Sequence, residues 1–409
     1  MGSGSGKMAA APAAAGGAGE ADSYAQQVGP ILRETFARAE AEVLQKKPVN
    51  SAGAPDPLPT LSSFFEERAA VTGAKSTGSM PALRHYERIQ FIAFEICTMP
   101  HDFKTAPKED FYLGARGDVI EDMRLRAAMV SIAFEAAAES DRVDQSEKCL
   151  KLFMVPEFFW RGPCGKYDVD KVLAALRHLT IGYSAEAYRS WMFVFGTVCA
   201  YDQPDFMTSW GEDEFVSFNL APVSSENNES LGCVLKHYKS KTDWLKDPRL
   251  GGLADGEVAR LSANTEFMKT LPKAANAAKM DDHGVFNSRG TTFGLEFCLD
   301  HAVGRLSQAK HKDDVRVHLL STCGMSVNSA YAVGEMIFHC DGLTDGGEEY
   351  GSHSSAFQRQ PDGTLAPIYS EDYQYVLGDG WQDVIKNLFF APPETPPAIR
   401  VYQAVDMPK

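Results

Sequence analysis

The sequence predicts an α/β fold, and two observations carry that reading. Through the first half of the chain, apolar runs of strand length alternate with segments of helical periodicity. In the second half, strand-like runs succeed one another with few helices between them, the pattern of packed sheets in a sandwich rather than of one parallel sheet. With 409 residues and 44% hydrophobic content, the chain can bury a large core in one large domain or two smaller ones.

Taken in order, residues 1–21 are Ala/Gly-rich, offer little to bury and are expected to be disordered, with a Gly/Ser start before Met8 that has the composition of a tag. The segment "YAQQVGPILRETFARAEAEVLQKK" places Val28, Ile31, Leu32, Thr35, Phe36 and Val43 at helical spacing and stops at Pro48. It predicts an amphipathic helix outside the main core, joined to it by the Pro-rich linker "PVNSAGAPDPLPTLSS" and the flexible "AVTGAKSTGSMP".

The core is expected to begin at "YERIQFIAFEICTMP", a strand buried on both faces. A helix follows from about Asp118 to Glu139, with Val119, Met123, Leu125, Met129, Ile132 and Phe134 on its inner face. "CLKLFMVPEFFW" is a strand that stops at Pro156, and "DVDKVLAALRHLTIGY" a second helix. Further strands are expected in "SWMFVFGTVCAYD", "FVSFNLAPVS", "GCVLKHY", "TTFGLEFCLDH", "VRVHLLSTCGMS", "SAYAVGEMIFHCD" and "TPPAIRVYQAV". Two stretches, about 202–229 and 243–288, exceed ordinary connections, and such loops often carry specificity. There is no internal repeat.

Charge and cysteine usage narrow the function. A net charge of -15 argues against nucleic acid or an anionic membrane as a partner. The longest apolar run, "WMFVFGTVCA", is half of the roughly 20 residues a membrane-spanning helix needs. Without a secretory-type apolar segment at the N-terminus, a cytoplasmic location is expected. The eight cysteines are scattered without a CxxC pair and read as free thiols. The ten histidines form no HxxxH or HxH pair with a nearby cysteine, so neither metal nor cofactor is expected. "GSGSGKM" lacks the spacing of a phosphate loop, and the "NES" triplet at Asn228 has no secretory context.

Three strand ends carry reactive groups: Glu157 in "FMVPEFFW", a lysine in "CVLKHYKSKTDW", and Cys298 in "GLEFCLDH". Apolar strands that stop at a polar side chain fix geometry where loops admit substrate. Alone, an isolated cysteine in an apolar strand is a small buried hydrophobe. A carboxylate among Phe153, Phe158, Phe159 and Trp160, however, is costly to bury without a purpose.

"VPEFFW" followed by "GLEFCLDH", with a lysine-bearing strand end between them, resembles the nitrilase superfamily of carbon-nitrogen hydrolases over about residues 87–340. The resemblance implies an αββα four-layer sandwich that commonly dimerises, with 86–345 as catalytic domain, 22–85 as helical extension and linker, and 346–409 as a C-terminal extension packing on the core or at an oligomer interface. It implies Glu157 as general base and acid, Lys236 as the catalytic lysine and Cys298 as nucleophile, acting on an amide or nitrile without a cofactor. Lys239 and Lys241 are alternatives; Lys236 directly follows the apolar "CVL" and so sits at the strand terminus.

The chemistry is coherent in itself. A thiol with a free pKa of roughly 8.5 is only slightly ionised at neutral pH, so a carboxylate that takes its proton raises its reactivity. The same carboxyl can return the proton to a departing nitrogen. An ammonium beside the thiol, with the backbone N–H after the cysteine, stabilises an oxyanion. Leu299 departs from the tryptophan usual after the nucleophile in true nitrilases and aliphatic amidases, which leaves an amide the better substrate, with acyl transfer to an amine or a silent interaction protein as alternatives. Asp300 reads either as a helix cap or as a site residue, His301 as a substrate contact or a supporting group, and Glu296 as a structural glutamate. Phe158, Phe159, Trp160, Trp191 and Trp244 read as core before pocket lining.

Overall fold

The computed structural model describes residues 86–98, 119–162, 167–183, 188–202, 216–224, 228, 231–236, 238–239, 259–260, 284–343, 354–375 and 397–408. The helix expected within 22–47, its linkers and most of 243–288 lie outside the described residues.

The chain runs through β1 (Arg88–Glu95), α1 (Val119–Glu139), β2 (Cys149–Met154), β3 (Tyr167–Asp168), α2 (Val169–Gly182), β4 (Trp191–Val194), β5 (Val198–Asp202), β6 (Val216–Ser224) and β7 (Leu231–Leu235). It continues with β8 (Tyr238–Lys239), β9 (Ala259–Arg260), β10 (Val285–Ser288), β11 (Thr291–Phe297), the short α3 (Leu299–Ala302), β12 (Val317–Thr322) and β13 (Met336–Asp341). Last come β14 (Ser355–Arg359), β15 (Leu365–Pro367), β16 (Ser370–Tyr375), β17 (Ala398–Tyr402) and β18 (Val405–Asp406).

Two sheets form the α/β sandwich. The first has ten strands, ordered β16-β17-β1-β2-β4-β6-β5-β3 with β18 beside β1 and β7 beside β6; the second has six, β10-β11-β12-β13-β14-β15. Each is built on a parallel triplet, β1-β2-β4 in one and β11-β12-β13 in the other, flanked by antiparallel strands. The chain after residue 345 thus supplies strands to both sheets.

Alternation along the parallel strands explains the layers. Ile92, Phe94, Phe153 and Phe193 face α1 and α2, where they pack with Met123, Phe134, Val172 and Leu176. Their neighbours Phe91, Leu152, Met154 and Met192 point the other way and meet Leu295, Phe297, Val317, Leu319 and Phe338 of the second sheet. Phe91 and Phe338 stack across that seam at 5.0 Å. Over the outer face of the second sheet, the described residues show α3 and two 3-10 turns, Leu306–Gln308 and Lys312–Asp314. Gly294 allows this cover to sit close, because a Cβ there would stand 2.5 Å from Leu306 Cδ2.

Three details differ from the expectation. On α1 the buried stripe is Met123, Ala127, Val130, Phe134 and Ala137, while Ile132 is half-buried; alanines let the helix approach the sheet, and an apolar pattern weighted toward large residues overlooks them. "SWMFVFGTVCAYD" is two strands, β4 and β5, broken at Gly196 (φ +70), where a Cβ would lie 2.2 Å from the Pro156 carbonyl oxygen. β10, β14 and β16 were not expected, because "VFNS", "SAFQR" and "SEDYQY" lack the apolar runs of central strands.

Candidate functional site

Glu157 follows the end of β2 in a turn pinned on several sides. Its N–H donates to the Thr322 carbonyl at 3.3 Å, and its own carbonyl accepts from Thr98 Oγ1 at 2.6 Å. Phe158 takes a positive φ of 63, unusual for a bulky residue. Its N–H is held by Thr197 Oγ1 at 2.9 Å, and Trp160 Nε1 donates to the Phe195 carbonyl at 2.9 Å. The β4–β5 break at Gly196 therefore seats the Glu157 turn, so a local interruption of one strand builds the corner of another.

Lys236 is the first residue past β7, its N–H held by the Asn219 carbonyl at 2.8 Å. Its side chain is completely buried, and Nζ reaches Glu157 Oε1 at 2.8 Å; Glu157 is also completely buried. Asn219 Nδ2 lies 3.5 Å from the same oxygen. Lys236 Nζ stands 5.3 Å from the Phe158 ring centroid, and Arg161 covers that ring at 3.9 Å. Of the alternatives, the Lys239 backbone lies in β8, and Lys241 is outside the described residues.

Cys298 sits between β11 and α3 with φ 36 and ψ -102, far from any ordinary well for a residue with a Cβ. A reactive side chain on a strained strand-to-helix turn is thereby lifted clear of both elements. Cys298 is half-buried, as is Cys97, whereas Cys149, Cys199, Cys233, Cys323 and Cys340 are buried. Burial pushes the Cys149 and Cys233 thiols up to about 12 and holds those of Cys323 and Cys340 well above the usual range. Cys164 lies outside the described residues.

Backbone links bring the three strand ends to one edge of the sandwich. Phe297 pairs with Ser321, so Cys298 follows at the level of Thr322, whose carbonyl binds the Glu157 N–H. Asp300 Oδ1 accepts from the Tyr238 N–H at 2.8 Å, two residues beyond Lys236, and Arg305 reaches the Leu235 carbonyl at 3.4 Å. Glu157, Lys236 and Cys298 thus occupy the carboxyl ends of β2, β7 and β11.

Asp300 is not a helix cap: Cys298 is the N-cap and makes no side-chain cap bond, while Asp300 ties the nucleophile's turn to β8 and lies 3.4 Å from Arg305 Nε. His301 is a supporting group. Its Nδ1 is 2.7 Å from Glu296 Oε1, His318 Nε2 is 3.1 Å from the same oxygen, and the Leu306 N–H donates to Glu296 Oε2 at 2.9 Å. Burial opposes ionisation of Glu296, but the bonds from His301 and His318 outweigh it and hold the carboxyl far below its usual range.

Glu296, His301 and His318 are also close enough to share a metal ion. Their hydrogen bonding does not fit that role. His301 Nε2 accepts the Asn328 N–H at 2.9 Å and His318 Nδ1 the Val333 N–H at 3.2 Å. Each imidazole therefore carries its proton on the nitrogen facing Glu296, where a metal would need a lone pair.

Sequence reasoning did not find Asn219, Thr98 or Arg161. Asn219 left a signal, a lone polar side chain facing inward from the apolar "FVSFNLAPVS"; Thr98 acts through contacts that only the fold creates. Phe159, Trp160 and Trp191 belong to the helix-side core, Phe158 packs apart with Cys199 and Cys323, and Trp244 is outside the described residues.

No protein-family model matches the chain, and no curated protein matches it in sequence. Among solved structures it is similar to an amidase from Nesterenkonia sp., at 15% identity over 81% of this chain and 94% of that one, with a TM-score of 0.38. A variant of the amidase from Nesterenkonia sp. AN1, showing covalent addition of the acetamide moiety of fluoroacetamide at its active site cysteine, is 14% identical over 81% and 94%, with a TM-score of 0.37. Saccharomyces cerevisiae Nit3, a member of branch 10 of the nitrilase superfamily, is 13% identical over 80% and 93%, with a TM-score of 0.39. The solved structures to which this chain is similar are thus amidases and other members of the nitrilase superfamily, across about four-fifths of its length.

Proposed function

We propose that this protein is a thiol-dependent hydrolase of a non-peptide carbon-nitrogen bond, an amide in preference to a nitrile. The observation that carries the reading is the completely buried Glu157–Lys236 pair at 2.8 Å, beside the strand end that presents Cys298. Two opposite charges taken out of water cost several kcal/mol each before their attraction is counted, so such a pair is weak as a device for stability alone. As a device for moving a proton next to a thiol it has a clear use.

In this reading Glu157 takes the thiol proton as Cys298 Sγ bonds to the amide carbon. The oxygen of the tetrahedral intermediate is stabilised by the Lys236 ammonium and the Leu299 N–H, which opens α3 and so has no intrahelical acceptor. Collapse breaks the carbon-nitrogen bond, and the nitrogen leaves with the proton from Glu157. Water then gives a proton to Glu157 and its oxygen to the thioester carbon, and the acid departs as the thiol is restored. The sum is amide plus water to acid plus ammonia or amine. Arrival of an amine in place of water would give acyl transfer from the same thioester.

The test is ammonia release across a panel of amides and nitriles by the wild type and Cys298→Ala. Activity on amides that falls at least about 10⁴-fold in the variant is expected; activity that survives the substitution overturns the reading. The amide preference fails if nitriles turn over faster. A homo-oligomer belongs to the same proposal and is checked by sedimentation, where a monomer at working concentration rejects it.

A further inference from the structure

Cys298 holds a backbone conformation that a residue with a side chain adopts only when its surroundings impose it. Its own helix cannot do so, because α3 is four residues long and far below the length at which a helix sustains itself. What imposes the turn must lie beside it. The even-numbered positions of β11 face away from the inter-sheet core, and there Gly294 leaves room for Leu306 while Glu296 is completely buried two residues before the nucleophile.

Glu296 gathers three donors from three places: His301 at 2.7 Å, three residues after Cys298; the Leu306 N–H at 2.9 Å, where the chain leaves the turn; and His318 at 3.1 Å, on the neighbouring β12. One carboxylate thus closes two loops of chain around Cys298 and ties both to the next strand. The imidazoles are themselves oriented by the N–H groups of Asn328 and Val333, in the connection between β12 and β13. Apolar side chains would fill this layer equally well, but they would not fix direction; hydrogen bonds to a carboxylate do.

We propose that Glu296 is a positioning residue for Cys298, holding through His301, Leu306 and His318 the strained turn that presents the thiol. The inference rests on the reading of Cys298 as nucleophile. It goes beyond that reading because Glu296 acts through the turn rather than on the reacting atoms.

The experiment uses the full-length protein with Glu296→Gln, which keeps the shape but sets an amide N–H against a donor. The expected result is a fall in kcat of about 100-fold with KM within about threefold, the size of effect that a displacement of order 1 Å produces. The alkylation rate at Cys298 by iodoacetamide, read on its peptide, should fall about tenfold or more, with Cys97 unchanged and the far-ultraviolet dichroism of the wild type retained. His301→Asn, which keeps an N–H near the Nδ1 position, should stay within about fivefold of wild type, and His301→Leu should behave as Glu296→Gln does. If Glu296→Gln does not fold, the His301 pair decides, since a merely structural site would lower stability in both and leave kcat per folded molecule alone. Unchanged kcat and alkylation in folded Glu296→Gln, or equal behaviour of the two His301 variants, overturns the proposal. Survival of amide hydrolysis in Cys298→Ala would instead remove the functional reading, while the alkylation result would still report on the turn.

Discussion

Two completely buried carboxylates, Glu157 and Glu296, stand near strand ends in the two sheets, and the chain surrounds them differently. Glu157 meets a flexible ammonium, Lys236 at 2.8 Å, with Asn219 at the edge of hydrogen-bond range. Glu296 meets two imidazoles wired neutral by backbone N–H groups, and a third backbone donor. A proton arriving at Glu157 exchanges one charge pair for a hydrogen bond to a mobile lysine. A proton arriving at Glu296 would set a hydroxyl against donors that are fixed in place. The contrast teaches that burial alone does not make a carboxylate a catalyst: a partner that can readjust suits proton transfer, and partners that cannot suit architecture.

The strongest way to break the comparison is to neutralise each carboxylate. Glu157→Gln is expected to lower kcat/KM by about 10³-fold or more, because both proton transfers lose their carrier, against the smaller loss at Glu296. Steady-state ammonia release decides; equal losses in the two variants would erase the distinction. Lys236→Met leaves Glu157 as a buried charge without its ammonium, and unfolding in urea should show a loss of about 3–5 kcal/mol. Adding Glu157→Gln to Lys236→Met should restore part of that stability, though none of the activity.

A smaller effect is expected at the corner that carries Glu157. Gly196→Ala would press a Cβ against the Pro156 carbonyl at a φ of +70, so a loss of about 1–3 kcal/mol should appear in the same urea titration, with reduced activity because the Glu157 turn must move. An unchanged midpoint would mean that this corner is softer than its geometry implies.

The mildest perturbation is pH. Burial pushes His339 down to about 3 and holds His318 below its ordinary value, and Glu296 is held below the usual carboxylate range. In each case the unfolded chain binds the proton more readily, so stability is fully present above about pH 6.5 and declines as pH falls toward 3, by about 1.4 kcal/mol per pH unit for each net proton. Thermal unfolding between pH 7 and 4 should show a falling Tm. A Tm that rises on acidification would reverse the sign of this account.

The parallel strands were legible because strands buried on both faces read as apolar runs; "RIQFIAFE", "CLKLFM" and "VHLLST" need little context. Edge strands such as Ser355–Arg359 were not, since their pairing is decided by neighbours rather than by their own side chains. At the site, Glu157 and Lys236 could be picked out as polar groups where apolar strands stop, and the fold joins them in one ion pair. Glu296 looked like one structural residue in an apolar strand, because its partners Leu306 and His318 are ten and twenty-two positions away and share no pattern with it. Asp300 suggested a helix cap from its place after the strand, but the donor it meets, the Tyr238 N–H, belongs to a distant strand.

The most direct measurement is intact-protein and peptide mass spectrometry of the wild type and Glu157→Gln quenched during turnover of a slow amide. The account predicts an acyl adduct on the Cys298 peptide in the wild type that is chased to free thiol as acid appears, and its near absence in Glu157→Gln. Turnover with no adduct at Cys298, or an adduct on another cysteine that keeps pace with product, would contradict it.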